Sequence, residues 1–321
     1  MLSKESIKQL LSGKNLLAFS AGVDSSALFF ILIEHNINFD IAIVNYNLRE
    51  QAKEEVAYAK ELAKKYNKKI YTASAPVFNK NFEANAREFR YTFFKQIIKE
   101  NAYCNLLTAH HLNDKLEWLL MRLSKGAGVS TLSGMQVVEQ KEYYTSVRPL
   151  LEYTKEELLN YLEKNKIKHF VDKSNFNTKY ERNKFRPLAN TLLKEGKDGF
   201  LRSFNLLQNE SSLIKNGYEL QDIEQNFRAI KLASREHAPY ALNLYLKELG
   251  YLVSYKEQLA IKTQESIVVG RKWAIELSNN TLYIAPYIKV VMPKEVKEHY
   301  RKLKIPPKIR GYLYSINYKL S

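Results

Sequence analysis

The chain has 321 residues and a formal net charge of +16, and is 45% hydrophobic and 26% charged, with one cysteine. That composition excludes a mostly disordered or collagen-like chain, and 22 Tyr with 15 Phe supply ample core material. The single cysteine excludes an intramolecular disulfide, CxxC zinc sites and any chemistry that needs a cysteine pair.

The start, Met1-Leu2-Ser3-Lys4-Glu5, lacks the apolar run of a signal peptide, and residues 27–33 are too short an apolar stretch to span a bilayer. A cytoplasmic protein with no membrane partner is expected. Residues 1–150 carry 20 basic and 15 acidic side chains, and residues 151–321 carry 30 and 19. The excess in the second half reads as a footprint for a polyanion, or more plainly as a solvated Lys-rich surface.

In chain order, residues 16–19 read as a buried strand, 20–25 as a polar turn and 26–34 as a buried helix. Residues 40–46 form the next strand. Residues 50–66 form an amphipathic helix with Val56, Ala59, Leu62 and Ala63 on one side. A strand at 69–73, a long helix at 82–100, a strand at 103–109 and a helix at 112–123 follow. Cys104 is expected as a small core residue of its strand. Leu112, Leu116, Leu119, Leu120 and Leu123 are expected to pack on the sheet. Strands alternating with such helices predict an α/β fold, a doubly wound parallel sheet, with ligands beyond the carboxyl ends of its strands. Residues 20–25 and 110–117 both follow strands, so both fall on one rim.

Beyond residue 186 the pattern changes. Residues 188–232 read as largely helical, 240–249 and 256–263 as helices, and 267–287 as a hairpin around Ser278-Asn279-Asn280. The stretch 302–310 is basic and broken by Pro306-Pro307. The resulting plan is a catalytic domain over 1–187, a helical linker over 188–232 and a small basic α+β domain over 233–321.

Two segments carry chemistry. Ser20, Ala21, Gly22, Val23, Asp24 and Ser25 lie between a strand and a helix. Gly22 permits positive φ, the small neighbours leave room for a bulky anion, and a helix start presents unpaired N–H groups. The segment therefore reads as a phosphate cradle, or more plainly as a helix cap. It is neither a Walker A loop nor a GxGxxG fingerprint. Asp24 is a carboxylate inside an anion cradle, which requires a bridging cation and makes it the candidate Mg2+ ligand. The second segment holds His110, Asp114 and Glu117, spaced by four and three as on one helix face. That face suits a metal or a cationic substrate, or is simply a solvated helix start. His111 has no periodic reason to join it.

Residues 20–25 resemble the PP-loop, S-G-G-x-D-S, of the ATP pyrophosphatases, with Ala21 where the pattern has glycine. Alanine resists positive φ, so an adjusted peptide is expected there. Further segments resemble the bacterial tRNA(Ile)-lysidine synthetase family in the same order. Val44-Asn45-Tyr46-Asn47-Leu48-Arg49 is similar to V-x-H-x-L-R, with Tyr46 replacing histidine. Residues 86–91 match A-R-x-x-R-Y and 109–117 match A-H-H-x-x-D-x-x-E. Residues 125–135 are similar to R-G-x-G…L-x-G-M, with Gly126, Gly128 and Gly134. Arg148-Pro149-Leu150-Leu151 and Asp172 to Asn175, with Tyr180 to Arg186, complete the set.

The resemblance covers about residues 14–187. It implies an adenine nucleotide alpha hydrolase-like fold and the ATP-dependent ligation of free L-lysine to carbon 2 of the wobble cytidine. The RNA is an isoleucine tRNA with a CAU anticodon, the intermediate an adenylated cytidine, and the products AMP and pyrophosphate. On that reading residues 20–25 bind ATP and Asp24 holds Mg2+. Asp114 and Glu117 bind lysine, His110 serves proton transfer, and Arg87, Arg90, Arg182 and Arg186 meet phosphates of ATP or tRNA. Arg182 and Arg186 are expected in a loop lining the cleft. The basic domain over 233–321 would bind the tRNA, with 302–310 as an arm or a disordered end.

Three rivals remain beside it: a tRNA thiolase of the 2-thiocytidine type, disfavoured by the lone cysteine, an amidotransferase-type synthetase, and a non-enzymatic tRNA-binding protein. The oligomeric state stays open, a homodimer included.

Overall fold

A computed structural model describes residues 2–46, 51–78, 81–170 and 181–318, the last stretch by backbone alone over 181–183. The chain divides into two compact units, Met1–Asn205 and Leu206–Ser321.

The first unit opens with α1 (Lys4–Leu11) and then alternates β1 (Asn15–Ala18), α2 (Val23–Glu34), β2 (Asp40–Asn45), α3 (Gln51–Lys65), β3 (Ile70–Ser74), α4 (Phe82–Asn101), β4 (Asn105–Leu107) and α5 (Leu112–Leu123). The short helix α6 (Val129–Leu132), a hairpin of β5 (Val138–Gln140) and β6 (Thr145–Val147), α7 (Lys155–Lys164) and the long α8 (Glu181–Lys215) follow. The strand order is β3-β2-β1-β4-β6-β5. Every neighbouring pair is parallel except β5 with β6.

Alternation along each strand divides the apolar residues between two faces. Leu17, Ile41, Ile43 and Leu107 join the buried side chains of α2, α3 and α7 in one core. Leu16, Ala42 and Leu106 join Phe94, Ile97 and Ile98 of α4 in another. Both faces are covered, as a parallel sheet requires. The chain steps outward from β1 to β3 and returns to the other side of β1 at β4. This places the switch point between β1 and β4, whose residues Leu17 and Leu107 are in register.

The leucines of α5 do not pack on the sheet. Leu112 and Leu116, with Leu119 and Leu120 beside them, meet Ala189, Leu193 and Phe204 of α8, while Leu123 is exposed. Position 188 onward supplies a second apolar helix, which the strand-helix alternation did not foresee as a partner. Cys104 is exposed just ahead of β4 and is no core residue.

The expected helix over 188–232 holds only to Lys215. It is interrupted at Gly196, where φ is −141° and ψ 32°. Residues beyond it form the antiparallel pair β7 (Tyr218–Glu224) and β8 (Phe227–Leu232). Residues 227–230 are all buried, successive side chains serving two covered faces, which hides the period of two. The helices α9 (Ala238–Glu248) and α10 (Tyr255–Thr263) match expectation, and β9 (Ser266–Val269), β10 (Trp273–Ser278) and β11 (Thr281–Pro286) supply the hairpin. Its turn residues Asn279 and Asn280 both have positive φ, 51° and 56°, as a two-residue hairpin loop demands.

The sheet order is β7-β8-β11-β10-β9. Helices α9 and α10 cover one face, and α11 (Lys294–Lys302) and α12 (Pro307–Ser315) the other. Residues 302–310 are thus no loose arm. Ile305 and Ile309 are buried, and the backbone N–H of Lys308 donates to buried Glu276 at 2.6 Å. Among the described residues no helix is long and apolar enough to cross a membrane.

Candidate active site

The phosphate turn follows β1, and the segment 108–111 follows β4, so the switch point brings the two together. Helix α2 begins at Val23, inside the turn, with Gly22 as its N-cap. Asp24 and Ser25 therefore lie in the first helical turn, where N–H groups and the helix dipole favour an anion. The positive φ falls on Ala21 (58°), not on Gly22, which is extended at −75°. A left-handed alanine costs about 1 kcal/mol. It is held by burial, Ala21 being 0% exposed, and by its carbonyl, which accepts from the Phe170 N–H at 2.9 Å. The Ser25 hydroxyl accepts from the Ser20 N–H at 3.2 Å and lies 3.1 Å from the Ser20 hydroxyl, closing the turn. Ser20 is exposed, and Gly22 and Asp24 are half-exposed.

His110 precedes α5 and does not share its face with Asp114 and Glu117. Its Nδ1 lies 2.9 Å from the Thr108 hydroxyl. The residue that periodicity passed over, His111, is the N-cap of α5, and its N–H donates to Asp114 at 2.9 Å. The buried His111 ring places Nε2 3.6 Å from Asp24 Oδ1 and 3.7 Å from Asp114 Oδ2. It bridges the carboxylate of the turn to the first carboxylate of α5. A histidine at a helix N-cap, three residues ahead of an acidic N3 position, was the signal that could have found it.

Lys155, the first residue of α7, donates its ammonium to Asp24 Oδ1 at 2.6 Å. Lys155 was also missed, because nothing in the sequence ties it to a turn 131 residues earlier. The backbone fixes both ends of this arrangement. The Leu112 N–H donates to the Tyr153 carbonyl at 2.8 Å, and the Lys155 N–H donates to Asn113 Oδ1 at 2.9 Å.

Glu117 is 1% exposed and its Oε1 lies 3.1 Å from Arg186 Nε. Arg186 stands in α8, so the expected cleft loop is helical here. Arg182 lies in the same helical span, with its side chain outside the described residues, as are residues 171–180. Arg87 and Arg90 sit on α4 with guanidinium carbons 4.7 and 5.9 Å from the Tyr91 ring centre. Arg87 lines a 750 Å³ groove with Tyr91, Lys95, Lys141, Tyr143 and Tyr144. Arg90 instead lies near Tyr46, whose hydroxyl burial pushes up and the guanidinium pulls back down. Tyr46 also donates to the Ala86 carbonyl at 3.2 Å. Asn47, Leu48 and Arg49 lie outside the described residues. Gly126 and Gly134 both adopt positive φ in the loop after α5.

Among the described residues no cluster of three or more His, Cys, Asp or Glu forms a metal cage. The donor set at the turn suits Mg2+ better, since that ion is commonly held by one carboxylate together with substrate phosphates. Half-exposed Asp24 beside a helix N-terminus offers such a carboxylate.

A parallel sheet with this turn at its switch point defines a PP-loop protein. A family model described as a PP-loop domain matches residues 3–192. A solved structure, the U34-tRNA thiolase NcsA from Methanococcus maripaludis with its [4Fe-4S] cluster, shares this fold at a TM-score of 0.53. It is 16% identical and covers 64% of this chain and 78% of its own.

Curated relatives named tRNA(Ile)-lysidine synthase match along nearly the whole length. That of Wolinella succinogenes is 46% identical over 96% of this chain and 94% of its own. Those of Helicobacter pylori and Campylobacter jejuni are 41% and 39% identical, over 97% and 98% of this chain and 93% and 97% of theirs. The chain belongs to the tRNA(Ile)-lysidine synthase family.

Proposed function

We propose that this cytoplasmic enzyme ligates free L-lysine to carbon 2 of the wobble cytidine of an isoleucine tRNA with a CAU anticodon. ATP is consumed and AMP and pyrophosphate are released. The observation that carries the reading is the junction of the two motifs, with His111 within 3.7 Å of both Asp24 and Asp114. A nucleotide held by the turn and an amine held by α5 would meet there.

The carbonyl oxygen of cytidine is a poor leaving group. Its attack on the α-phosphorus forms the oxygen–phosphorus bond and releases pyrophosphate, giving the adenylated cytidine. The side-chain amine of lysine then forms the carbon–nitrogen bond, and the oxygen departs with AMP. Residues 20–25 would bind the polyphosphate by hydroxyls and helix N–H groups. Asp24 would hold Mg2+, which when bound offsets charge on the phosphates.

Lysine carries two ammonium groups, so acidic partners are required. Asp114 is the nearer choice, and Glu117 contributes through a carboxylate it shares with Arg186. The proton lost by the attacking amine goes to Asp114 or His110. Arg87, Arg90, Arg182 and Arg186 would meet phosphates, and the second unit, basic along Lys294, Lys297, Arg301 and Lys302, would track the tRNA backbone. A pyrophosphate-release assay tests the reading. Release is expected only with ATP and a CAU-anticodon transcript together, and RNA-independent release would overturn it.

A further inference from the structure

We propose that Lys155 is the cation that grips the terminal phosphates of the nucleotide, parked on Asp24 until ATP arrives. The inference rests on the reading of residues 20–25 as a phosphate turn and goes beyond the motifs that identify it.

The main chain at Lys155 is fixed. Thr154 caps α7, its hydroxyl accepting from the Glu157 N–H at 3.3 Å while its own N–H donates to the Glu157 carboxylate at 2.7 Å, and Glu157 is held in turn by Lys197 at 2.6 and 2.8 Å. The Lys155 N–H is tied to Asn113 at the start of α5. Only the side chain is free to redirect. Its ammonium rests 2.6 Å from Asp24 Oδ1, with the two side chains 35% and 32% exposed. A half-exposed pair of this kind is held weakly, because solvent screens it. A polyphosphate carrying several negative charges at the same spot outbids one carboxylate for the ammonium. Lysine suits that exchange, since it acts as a flexible point charge on phosphate.

The transfer does two things in one motion. It puts a positive charge where pyrophosphate leaves, and it frees Asp24 for a divalent ion. His111, 3.6 Å from the same Oδ1, keeps Asp24 aimed at the turn while Lys155 moves.

The test is calorimetric titration of the full chain with inorganic pyrophosphate and, separately, AMP, in magnesium-free buffer. AMP lacks the terminal phosphates and reports on the rest of the pocket. Lys155→Met is expected to weaken pyrophosphate binding about tenfold and AMP binding less than about twofold, whereas Lys155→Arg retains both. The double variant Asp24→Asn with Lys155→Met separates contact from charge balance, and is expected to remain weak for pyrophosphate. Recovery in the double variant means that Lys155 merely neutralises Asp24, which overturns the proposal. So does equal weakening of AMP, or unchanged pyrophosphate binding in Lys155→Met. If the unmodified chain binds neither ligand, the phosphate-turn reading itself falls, and the role of Lys155 with it.

Discussion

Arg186 Nε sits 3.1 Å from Oε1 of Glu117, a carboxylate that is almost wholly buried. The pair ties α5 to α8 beside the shared contact of Leu112, Leu116, Ala189, Leu193 and Phe204. Removing one member of such a pair leaves a charge in a poorly solvated place. Arg186→Met is expected to destabilise the first unit by about 2 kcal/mol. Glu117→Gln should cost less, because an amide oxygen still accepts from the guanidinium. A double-mutant cycle by urea unfolding measures the coupling, expected at about 1–3 kcal/mol. Additive effects would show that the contact is energetically idle.

Lys115, next to Asp114 in sequence, is the reverse case. It is buried with its ammonium 4.5 Å from the Phe204 ring centre, and desolvation pushes its pKa down to about 8, against a smaller upward pull from Glu152. The unfolded chain holds this proton up to about pH 10.4. Between the two values the unfolded state binds more protons, so stability rises with pH through that window. Below pH 8 the charged lysine costs about 3 kcal/mol relative to its neutral form. Lys115→Met is expected to be more stable at pH 7 and to lose the rise between pH 8 and 10. Denaturation midpoints of both proteins at pH 7, 9 and 10 check the difference. An identical pH dependence would refute it.

Ala21 occupies the left-handed region and is fully buried. Ala21→Gly relieves the conformational strain but loosens the unfolded chain and removes a buried methyl, so a net change within about 1 kcal/mol is expected. Ala21→Val adds bulk at a left-handed φ and should cost more than about 2 kcal/mol. Thermal unfolding decides between them. If valine is tolerated, the turn geometry is wrong.

His111→Ala should impair the reaction more than His110→Ala, because only the former loses the link between Asp24 and Asp114. A loss of about tenfold or more in pyrophosphate release is expected for His111→Ala. Equal effects would show that the link His111 makes between Asp24 and Asp114 does not limit the reaction.

The parallel sheet was legible because each strand of the first unit is short, apolar and followed by a helix-length segment. Strand β2, helix α5 and the Asn279-Asn280 hairpin fell where the pattern put them. The 218–232 hairpin was not legible, since Phe227, Arg228, Ala229 and Ile230 are all buried and show no alternation. Helix α8 was hidden over residues 181–187 by an Asn- and charge-rich start. At the site, the structure brings the motif residues Asp24 and Asp114 to either side of His111, whereas Glu117 lies against Arg186. Spacing placed His110 on a helix that begins two residues later. It could not see His111, whose role comes from capping, or Lys155, which reaches the turn only through the fold.

Activation of the wobble cytidine by ATP at the turn around Asp24 is tested by its product. The direct measurement is mass spectrometry of nucleosides from a CAU-anticodon tRNA incubated with the protein, ATP and L-lysine. The expected result is a cytidine that gains one lysine less one water, absent without ATP and reduced at least about a hundredfold by Asp24→Asn. Modified cytidine formed without ATP, or in full yield by Asp24→Asn, would contradict it.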